Sequence, residues 1–364
     1  MSKYRKAVKR ASDFETTVTG EKNQMRTEVW STASVELNAV NDYNSVYVGH
    51  SIDDYFKNLF SYNCKVIDYF HNEKFDGSFI VDWLLKNGFS IAEDSEGFMV
   101  TTQQEMKNNE FTCLISSKGM WYSIKIKYRN HIYEIRDSLK LLPFSLREIG
   151  KAFGTEHKKL EMDYLGDRYA GCPITEEEML YIKNDVLVLK EALNIMEEEG
   201  HNKLTIGSCC MKEYKSEYDE YEFMDKFPNL YTQDYQLPLT FGSLNVGDYI
   251  RHSYKGGWCY LKPDKADTLF EANLDFNGMK IAGTTCDVNS LYPSMMESES
   301  GNRFPVGQPS IFEGDIPDDV ANDPEKYYFI RVRTRFYLKP NHLPTIQIKG
   351  SPFYPPRKWL ETSD

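Results

Sequence analysis

Acidic side chains stand in three segments of the chain at spacings that suit metal-ion chemistry. Asp13 and Glu15 are two residues apart in a segment that predicts a strand, so both carboxylates point to one face. Asp76 lies where a predicted strand, loop and helix meet. Tyr181 and Asp185 are four residues apart in a predicted helix, which places a phenol and a carboxylate on one face.

Four carboxylates on rigid elements suit two Mg²⁺ ions, because Mg²⁺ prefers oxygen ligands. Two such ions about 3.5–4 Å apart are a common clamp for phosphodiester hydrolysis, and a nearby tyrosine can orient the attacking water. Each segment alone also has an ordinary explanation: a solvated strand face, a helix-start acid or a local side-chain pair. The order and context of the three segments together favour a metal site.

The predicted elements alternate between strands and helices over about the first 200 residues, which indicates an α/β domain. The clearest helix begins after a capping box formed by Thr175 and Glu178 and ends near Gly200. Further helices are predicted over Ser51–Phe60 and from Phe75 or Asp76 to Lys86, and strands over Ala7–Thr16, Glu28–Leu37, Ser45–Val48, Cys64–Phe70, Ser123–Tyr128, Ile132–Ile135, Ile281–Val288, Phe329–Leu338 and Leu343–Lys349.

The composition is that of an ordinary soluble protein long enough for two or three domains. The 364 residues are 41% hydrophobic and 27% charged, with a net charge of −12, which argues against a protein that simply coats nucleic acid. A local carboxylate site remains compatible with that charge. No apolar run approaches the roughly 18 residues of a membrane span. The seven cysteines include no CxxC pair, so we expect reduced thiols, no zinc site and a cytoplasmic location, in the host cell if the protein is viral.

Six segments resemble, in the right order, motifs of the protein-primed family B DNA polymerases of the phi29 phage type. Three resemble the motifs of the proofreading 3′–5′ exonuclease of that family. The others resemble the Y-x-G-G segment between exonuclease and polymerase domains, polymerase motif A and the start of the insertion that contacts the terminal protein. In this order the segments are Asp13–Thr17, His71–Ile80, Tyr181–Asp185, Tyr254–Gly257, Asp287–Ser294 and Leu343–Lys349.

The resemblance implies a role for each matching residue of the exonuclease part. Lys159 resembles the lysine that touches the scissile phosphate, although it could equally form a solvated loop pair with Lys158. Phe75 either stacks on a base or packs in the core at the helix entry. The implied metal ligands are Asp13, Glu15, Asp76 and Asp185, the water-orienting phenol is Tyr181, and the implied contacts with single-stranded DNA are Thr16, His71, Asn72, Phe75, Ser138, Leu139 and Tyr164.

The resemblance also implies part of a polymerase site. Asp287 resembles one of its two metal-binding aspartates, and Tyr292 resembles the residue whose ring lies under the incoming sugar and rejects ribonucleotides. Tyr254, Gly256 and Gly257 resemble the segment that approaches template phosphates. The 364 residues contain neither a K-x-x-x-N-S-x-Y-G segment nor a D-T-D segment, so the second polymerase aspartate has no counterpart. We therefore expect a second polypeptide to complete the site, or a truncated chain.

The expected fold is α/β: a ribonuclease-H-like exonuclease domain at residues 1–200, the first part of an α+β palm at 201–315, and an incomplete terminal-protein insertion at 316–364. The expected function is that of the N-terminal part of a protein-primed DNA polymerase of viral replication that carries a 3′–5′ exonuclease. The alternatives are a free-standing exonuclease and a non-catalytic scaffold subunit. The expected cofactor is Mg²⁺, with two ions in the exonuclease site and Mn²⁺ as the alternative. The expected partners are single-stranded and primed DNA, deoxynucleotides, terminal protein and the second polypeptide, with no membrane.

Overall fold

The structure is a computed structural model in which the chain divides into two compact units, Met1–Glu217 and Tyr218–Asp364. None of the helices in the described residues is long and apolar enough to cross a membrane. The residues that the structure describes are 7–19, 26–100, 105–162, 168–238, 244–254, 275–276, 279–280, 286–315, 317–331, 334–339, 342 and 359–361.

The described part of the first unit contains strands and helices in alternation, as the sequence predicts. The strands β1 to β8 span Val8–Thr19, Arg26–Glu36, Tyr47–Gly49, Val66–Phe70, Ser90–Ile91, Glu110–Ile115, Trp121–Tyr128 and His131–Asp137. The helices α1 to α5 span Ile52–Leu59, Glu73–Lys86, Leu146–Ala152, Glu176–Glu198 and Ile206–Ser216. The α2 helix therefore begins before the predicted Phe75.

The eight strands form one mixed sheet in the order β3-β2-β1-β4-β8-β7-β6-β5. The β1, β4 and β8 strands run parallel to one another, whereas β1, β2 and β3 form an antiparallel meander. The β1–β2 pairing shifts register directly after Glu15: Glu15 lies opposite Ser31, but Thr16 lies opposite Val29. The skipped residue, Trp30, is the extra residue of a β-bulge. The bulge in β2 lies opposite the point on β1 directly after Glu15, where the acidic pair ends.

Helices cover both faces of the sheet, and the alternation of β1 distributes its side chains between them. Phe14 packs edge-on against Tyr55 and Phe70, at ring-centroid distances of 5.0 and 4.9 Å, in the core shared with α1 and α2. Ala11 lies in the opposite core with Val186 and other buried residues of α3 and α4. Because side chains alternate along a strand, the residues on either side of Phe14 face α4.

Side-chain caps fix where the helices that carry the site begin. Thr175 accepts a hydrogen bond from the Glu178 amide at 3.2 Å, and the Glu178 carboxylate accepts one from the Thr175 amide at 2.9 Å, which confirms the predicted capping box. Ser51 caps α1 as expected. A second box, between Ser145 and Glu148, begins α3, a helix absent from our sequence-based prediction.

The described residues of the second unit form short elements. Its helices α6 to α9 span Glu220–Lys226, Val246–His252, Leu291–Met296 and Asp318–Ala321, and its strands β9 to β12 span Asp275–Phe276, Met279–Lys280, Arg335–Tyr337 and Trp359–Glu361. Among the described residues of the strand predicted over Phe329–Leu338, only those of β11 form a strand. Cys286–Val288, the end of the strand predicted over Ile281–Val288, are irregular. The remaining residues of the strand predicted over Ile281–Val288, and the strand predicted over Leu343–Lys349, lie outside the described residues.

Candidate active site

The carboxylates of Asp13 and Glu15 on β1 lie close to Asp185, the last residue of the predicted Tyr181–Asp185 motif on α4. One carboxylate oxygen each from Asp13, Glu15 and Asp185 lies within 4.8 Å of the others. Asp185 is 2% exposed, because the α4 residues around it pack on the sheet. Two segments more than 160 residues apart in the chain, predicted separately, therefore form one cluster.

The fourth predicted ligand, Asp76, lies in the first turn of α2 and is 4% exposed. Burial, together with the charges of Glu15 and Asp137, raises its pKa to about 8. Asp76 lies outside the three-residue cluster, but its charge is the strongest electrostatic influence on Asp13 after burial. The four predicted carboxylates therefore belong to one electrostatic unit.

The carboxylates of this unit repel one another. The pKa of Asp13 is raised well above its usual value by burial and by the neighbouring charges of Asp76, Glu15 and Asp185. Burial also raises the pKa of Asp185, and its Oδ1 atom is buried without a hydrogen-bond partner. Crowded carboxylates with an unpartnered oxygen fit a divalent cation, whose charge would relieve the repulsion.

Lys159 supplies a positive charge at the edge of the carboxylates. Its ammonium donates to the Tyr181 hydroxyl at 2.6 Å and to Asp185 Oδ2, and it lies 4.3 Å from the centre of the Tyr181 ring. Burial would lower the pKa of Lys159, but the two partners outweigh burial and raise it. Lys159 therefore contacts two of the predicted site residues and is not a solvated loop residue paired with Lys158.

Phe75 is 49% exposed and packs edge-on against Phe79 at 5.4 Å, so it is not a core residue. An exposed ring on the helix that carries Asp76 is suited to stacking on a base. Thr16 is partly buried and follows the register shift between β1 and β2. Tyr164, another predicted contact, lies outside the described residues.

The predicted contacts at the ends of β4 and β8 are joined to each other. The His71 Nε2 atom donates to the Phe144 carbonyl at 2.8 Å, and its Nδ1 atom lies 3.0 Å from the Ser138 hydroxyl. Burial lowers the pKa of His71, which favours the neutral ring with its proton on Nε2. The single hydroxyl proton of Ser138 can go either to His71 Nδ1 or to the Phe70 carbonyl, which lies 2.8 Å away. His71 therefore joins the segment after β4 to the segment after β8 and braces the surface that these two segments form.

Asn72 and Leu139 lie beside this brace. The backbone of Asn72 is left-handed, with φ 73°, and this turn starts α2. The backbone amides of Asn72 and Leu139 both donate to the Asp137 carboxylate. Asp137 was missed at the level of sequence, although its position at the end of β8, directly before the predicted contact Ser138, was a signal for it.

Residues of the predicted polymerase part lie in the second unit and are exposed. Tyr254 is 70% exposed and follows α7, where Arg251 donates to the Tyr231 hydroxyl at 2.8 Å. Tyr292 is 75% exposed at the start of α8. Asp287 belongs to neither of the acidic clusters found among the described residues, and Gly256 and Gly257 lie outside those residues.

Comparisons with known proteins place the chain in a family. The family of type B DNA polymerases, organellar and viral, matches residues 57–171 and 168–360, so the chain belongs to this family.

The chain is similar to phage enzymes named DNA polymerase. It is 33% identical to that of Bacillus phage phi29 over 356 residues, covering 96% of this chain and 54% of the relative. It is 34% identical to that of Bacillus phage Nf, with the same coverage, and 28% identical to that of Streptococcus phage Cp-1, covering 93% of this chain and 52% of the relative. The chain thus spans about half the length of the curated relatives it matches.

Solved structures give the same family relationship. The phi29 DNA polymerase in complex with primer-template DNA and incoming nucleotides matches with a TM-score of 0.68 at 30% identity, over 98% of this chain and 55% of that one. The phi29 enzyme in complex with single-stranded DNA matches with a TM-score of 0.55, over 71% of this chain and 41% of that one. The expected mixed α/β architecture is therefore confirmed.

Proposed function

We propose that the first unit is a 3′–5′ exonuclease that removes nucleotides from single-stranded DNA ends. The observation that carries this proposal is the cluster of Asp13, Glu15 and Asp185, with the Lys159 ammonium on Asp185 and Tyr181. An antiparallel meander followed by two parallel strands, β4 and β8, also supports a ribonuclease-H-like fold.

In this proposal Asp13, Glu15, Asp76 and Asp185 hold divalent metal, Mg²⁺ or Mn²⁺. Metal bound there would supply an activated water and stabilise the leaving oxygen. The Tyr181 hydroxyl orients the attacking water. The Lys159 ammonium offsets the negative charge that develops on the phosphate. Phe75 stacks on a base near the 3′ end, and the surface braced by His71 and Ser138 holds the strand.

The test is the double variant Asp13→Ala with Glu15→Ala, assayed for degradation of a 3′-ended single-stranded oligonucleotide with Mg²⁺. We expect loss of activity with the circular dichroism spectrum unchanged, because the cluster loses two of its three carboxylates. The matched control is Glu198→Ala with Glu199→Ala, which removes two exposed carboxylates at the end of α4. A double variant with wild-type activity would contradict the proposal, and an inactive wild-type chain would favour a scaffold role.

We further propose that the second unit belongs to the polymerase site of a protein-primed enzyme of phage DNA replication, with primed DNA, deoxynucleotides and terminal protein as partners. The similarity to phage DNA polymerases over nearly the whole chain supports this. Asp287 would bind metal, Tyr292 would lie under the incoming sugar, and Tyr254 with Gly256 and Gly257 would approach the template.

The test is primer extension by the 364-residue chain, alone and with a second polypeptide bearing the N-S-x-Y-G and D-T-D segments. Extension should require the second polypeptide, because Asp287 alone cannot hold two metal ions against a triphosphate. In the combined enzyme Asp287→Ala should abolish extension and leave nuclease activity intact. Extension by the chain alone would contradict the proposal.

A further inference from the structure

The loop that delivers Lys159 to the site is attached to α4 through a buried carboxylate, Glu191. Glu191 Oε1 lies 2.5 Å from His157 Nδ1, and Glu191 Oε2 accepts a hydrogen bond from the Glu156 backbone amide at 2.6 Å. Glu191 and His157 are 7% and 8% exposed. The attachment points lie two and three residues before Lys159, so they fix the backbone from which its side chain extends.

Other contacts hold the same loop from two more sides. The Thr155 hydroxyl donates to the His157 carbonyl at 2.7 Å, and the Thr155 amide donates to the Gly150 carbonyl of α3 at 3.2 Å. The Tyr43 ring meets the His157 ring edge-on, with centroids 4.9 Å apart. Because these contacts hold His157 in place, its contact with Glu191 fixes the position of the loop relative to α4.

A metal site at Glu156, His157 and Glu191 is the competing explanation, since ligand atoms of these residues lie within 4.8 Å of one another. Both carboxylate oxygens of Glu191 are already occupied by N–H donors at hydrogen-bond distance. The side chain of Glu156 is exposed, so it adds no enclosed ligand. The cluster is therefore an attachment point of the loop and carries no case for a cation.

Both residues of the Lys159–Asp185 contact are therefore positioned by one helix, α4. Asp185 lies on α4 directly, and Lys159 reaches it from a loop attached to Glu191, about 9 Å further along the helix axis. We infer that Glu191, acting through Glu156 and His157, is a positioning residue that holds the Lys159 ammonium against Asp185 and Tyr181. This inference rests on the proposed nuclease.

The experiment compares Glu191→Ala, Lys159→Ala and the double variant in single-turnover and steady-state cleavage of single-stranded DNA. We expect Glu191→Ala to lower kcat about 10- to 100-fold with little change in KM, because a misplaced cation stabilises the transition state less. In the Lys159→Ala background the same change should cost less than about threefold, because residues that act through one another are not additive.

Two further variants keep the inference testable if Glu191→Ala folds poorly. Glu191→Gln should recover most activity, because its amide oxygen can accept from the Glu156 amide and its NH₂ can donate to His157 Nδ1 when the ring proton lies on Nε2. His157→Ala should lower kcat less than Glu191→Ala, since the Glu156 attachment remains, and it should also have no effect beyond about threefold when Lys159 is alanine.

The outcomes separate this inference from the proposed function. Wild-type kcat in folded Glu191→Ala, or a further loss of about threefold or more in the Lys159→Ala background, would overturn the positioning role. The proposed nuclease itself fails if the wild-type chain is inactive or if the Asp13 and Glu15 double variant stays active.

Discussion

The carboxylate of Asp137 accepts a hydrogen bond from the backbone amide of Asn72 at 3.0 Å. The same oxygen accepts from the Leu139 amide, also at 3.0 Å, and the other oxygen pairs with Lys140 at 2.9 Å. Asp137 is 2% exposed. One buried side chain therefore holds together two segments, at the start of α2 and after β8, that we propose to contact single-stranded DNA.

Replacing Asp137 should weaken DNA binding more than catalysis. Asp137→Ala leaves the amides of Asn72 and Leu139 without their acceptor, so we expect KM for a single-stranded oligonucleotide to rise about 10-fold, with a smaller change in kcat. Asp137→Asn keeps an acceptor oxygen, so its KM should lie between that of the wild type and that of Asp137→Ala. Asp82→Ala is the control, since Asp82 is an exposed residue of α2 paired with Lys86. An unchanged KM in Asp137→Ala would contradict the prediction.

Tyr181→Phe should slow cleavage without loss of metal binding. The change removes the hydroxyl that accepts from Lys159 and keeps the ring. If the hydroxyl orients the attacking water, the single-turnover rate falls by roughly 10- to 10³-fold, about 1.4–4 kcal/mol. Mg²⁺ titration of the rate is the accompanying measurement. A shifted Mg²⁺ dependence with an unchanged rate at saturation would assign Tyr181 to metal binding instead.

Mg²⁺ should stabilise the folded chain. Asp76 and Asp185 are buried and Asp13 is partly buried, and their carboxylates repel one another, so a cation bound to the folded state only should raise Tm. At about ten times Kd the stabilisation is about 1.4 kcal/mol, which corresponds to a few degrees. In the Asp13 and Glu15 double variant the Mg²⁺ effect should vanish, and Tm in EDTA should rise above that of the wild type. Equal Mg²⁺ shifts in both proteins would contradict the assignment.

Glu73 should make the protein less stable as pH rises. The side chain is fully buried, and burial together with the charges of Asp137 and Asp76 raises its pKa from 4.5 to about 9. Between pH 4.5 and 9 the folded chain retains a proton that the unfolded chain releases. Stability contributed by this group is therefore full below pH 4.5 and declines through that window.

Glu73→Gln removes this titration. At pH 8 the variant should be more stable than the wild type by roughly 2–4 kcal/mol, and the difference should shrink toward pH 5. Denaturant unfolding of the full chain at several pH values is the measurement, with the exposed Glu177→Gln as control. A difference that does not change with pH would show that Glu73 does not carry the effect.

The sequence indicated the parts of the first unit whose patterns are local. The alternation of β1, the hairpin of β7 and β8, and the capping box at Thr175 all depend on neighbours in the chain, and the structure confirms them. The α3 helix was missed although Ser145 and Glu148 form the same kind of box, because its seven residues are too short for an apolar periodicity. The α2 helix starts early because the left-handed backbone of Asn72, not a side-chain cap, turns the chain.

The candidate site was predictable only where chemistry follows from spacing within one element. Asp13 with Glu15, and Tyr181 with Asp185, each share a face by strand or helix geometry. The contact of Lys159 with Asp185 depends on tertiary packing, so sequence reasoning left it undecided. Glu73, Asp137 and Glu191 were missed for a related reason: a buried carboxylate looks like any surface acid until its neighbours are known.

The left-handed backbone at Asn72 restricts which amino acids can occupy this position as the sequence diverges. A β-branched or bulky residue would meet a steric cost of roughly 1–2 kcal/mol there, whereas glycine, aspartate and asparagine avoid most of it. Glycine would keep the turn into α2 but remove the side chain, and aspartate would add a negative charge close to the Asp137 carboxylate. In saturation mutagenesis, position 72 should therefore tolerate few amino acids. Asparagine alone both suits the left-handed backbone and supplies an uncharged polar side chain.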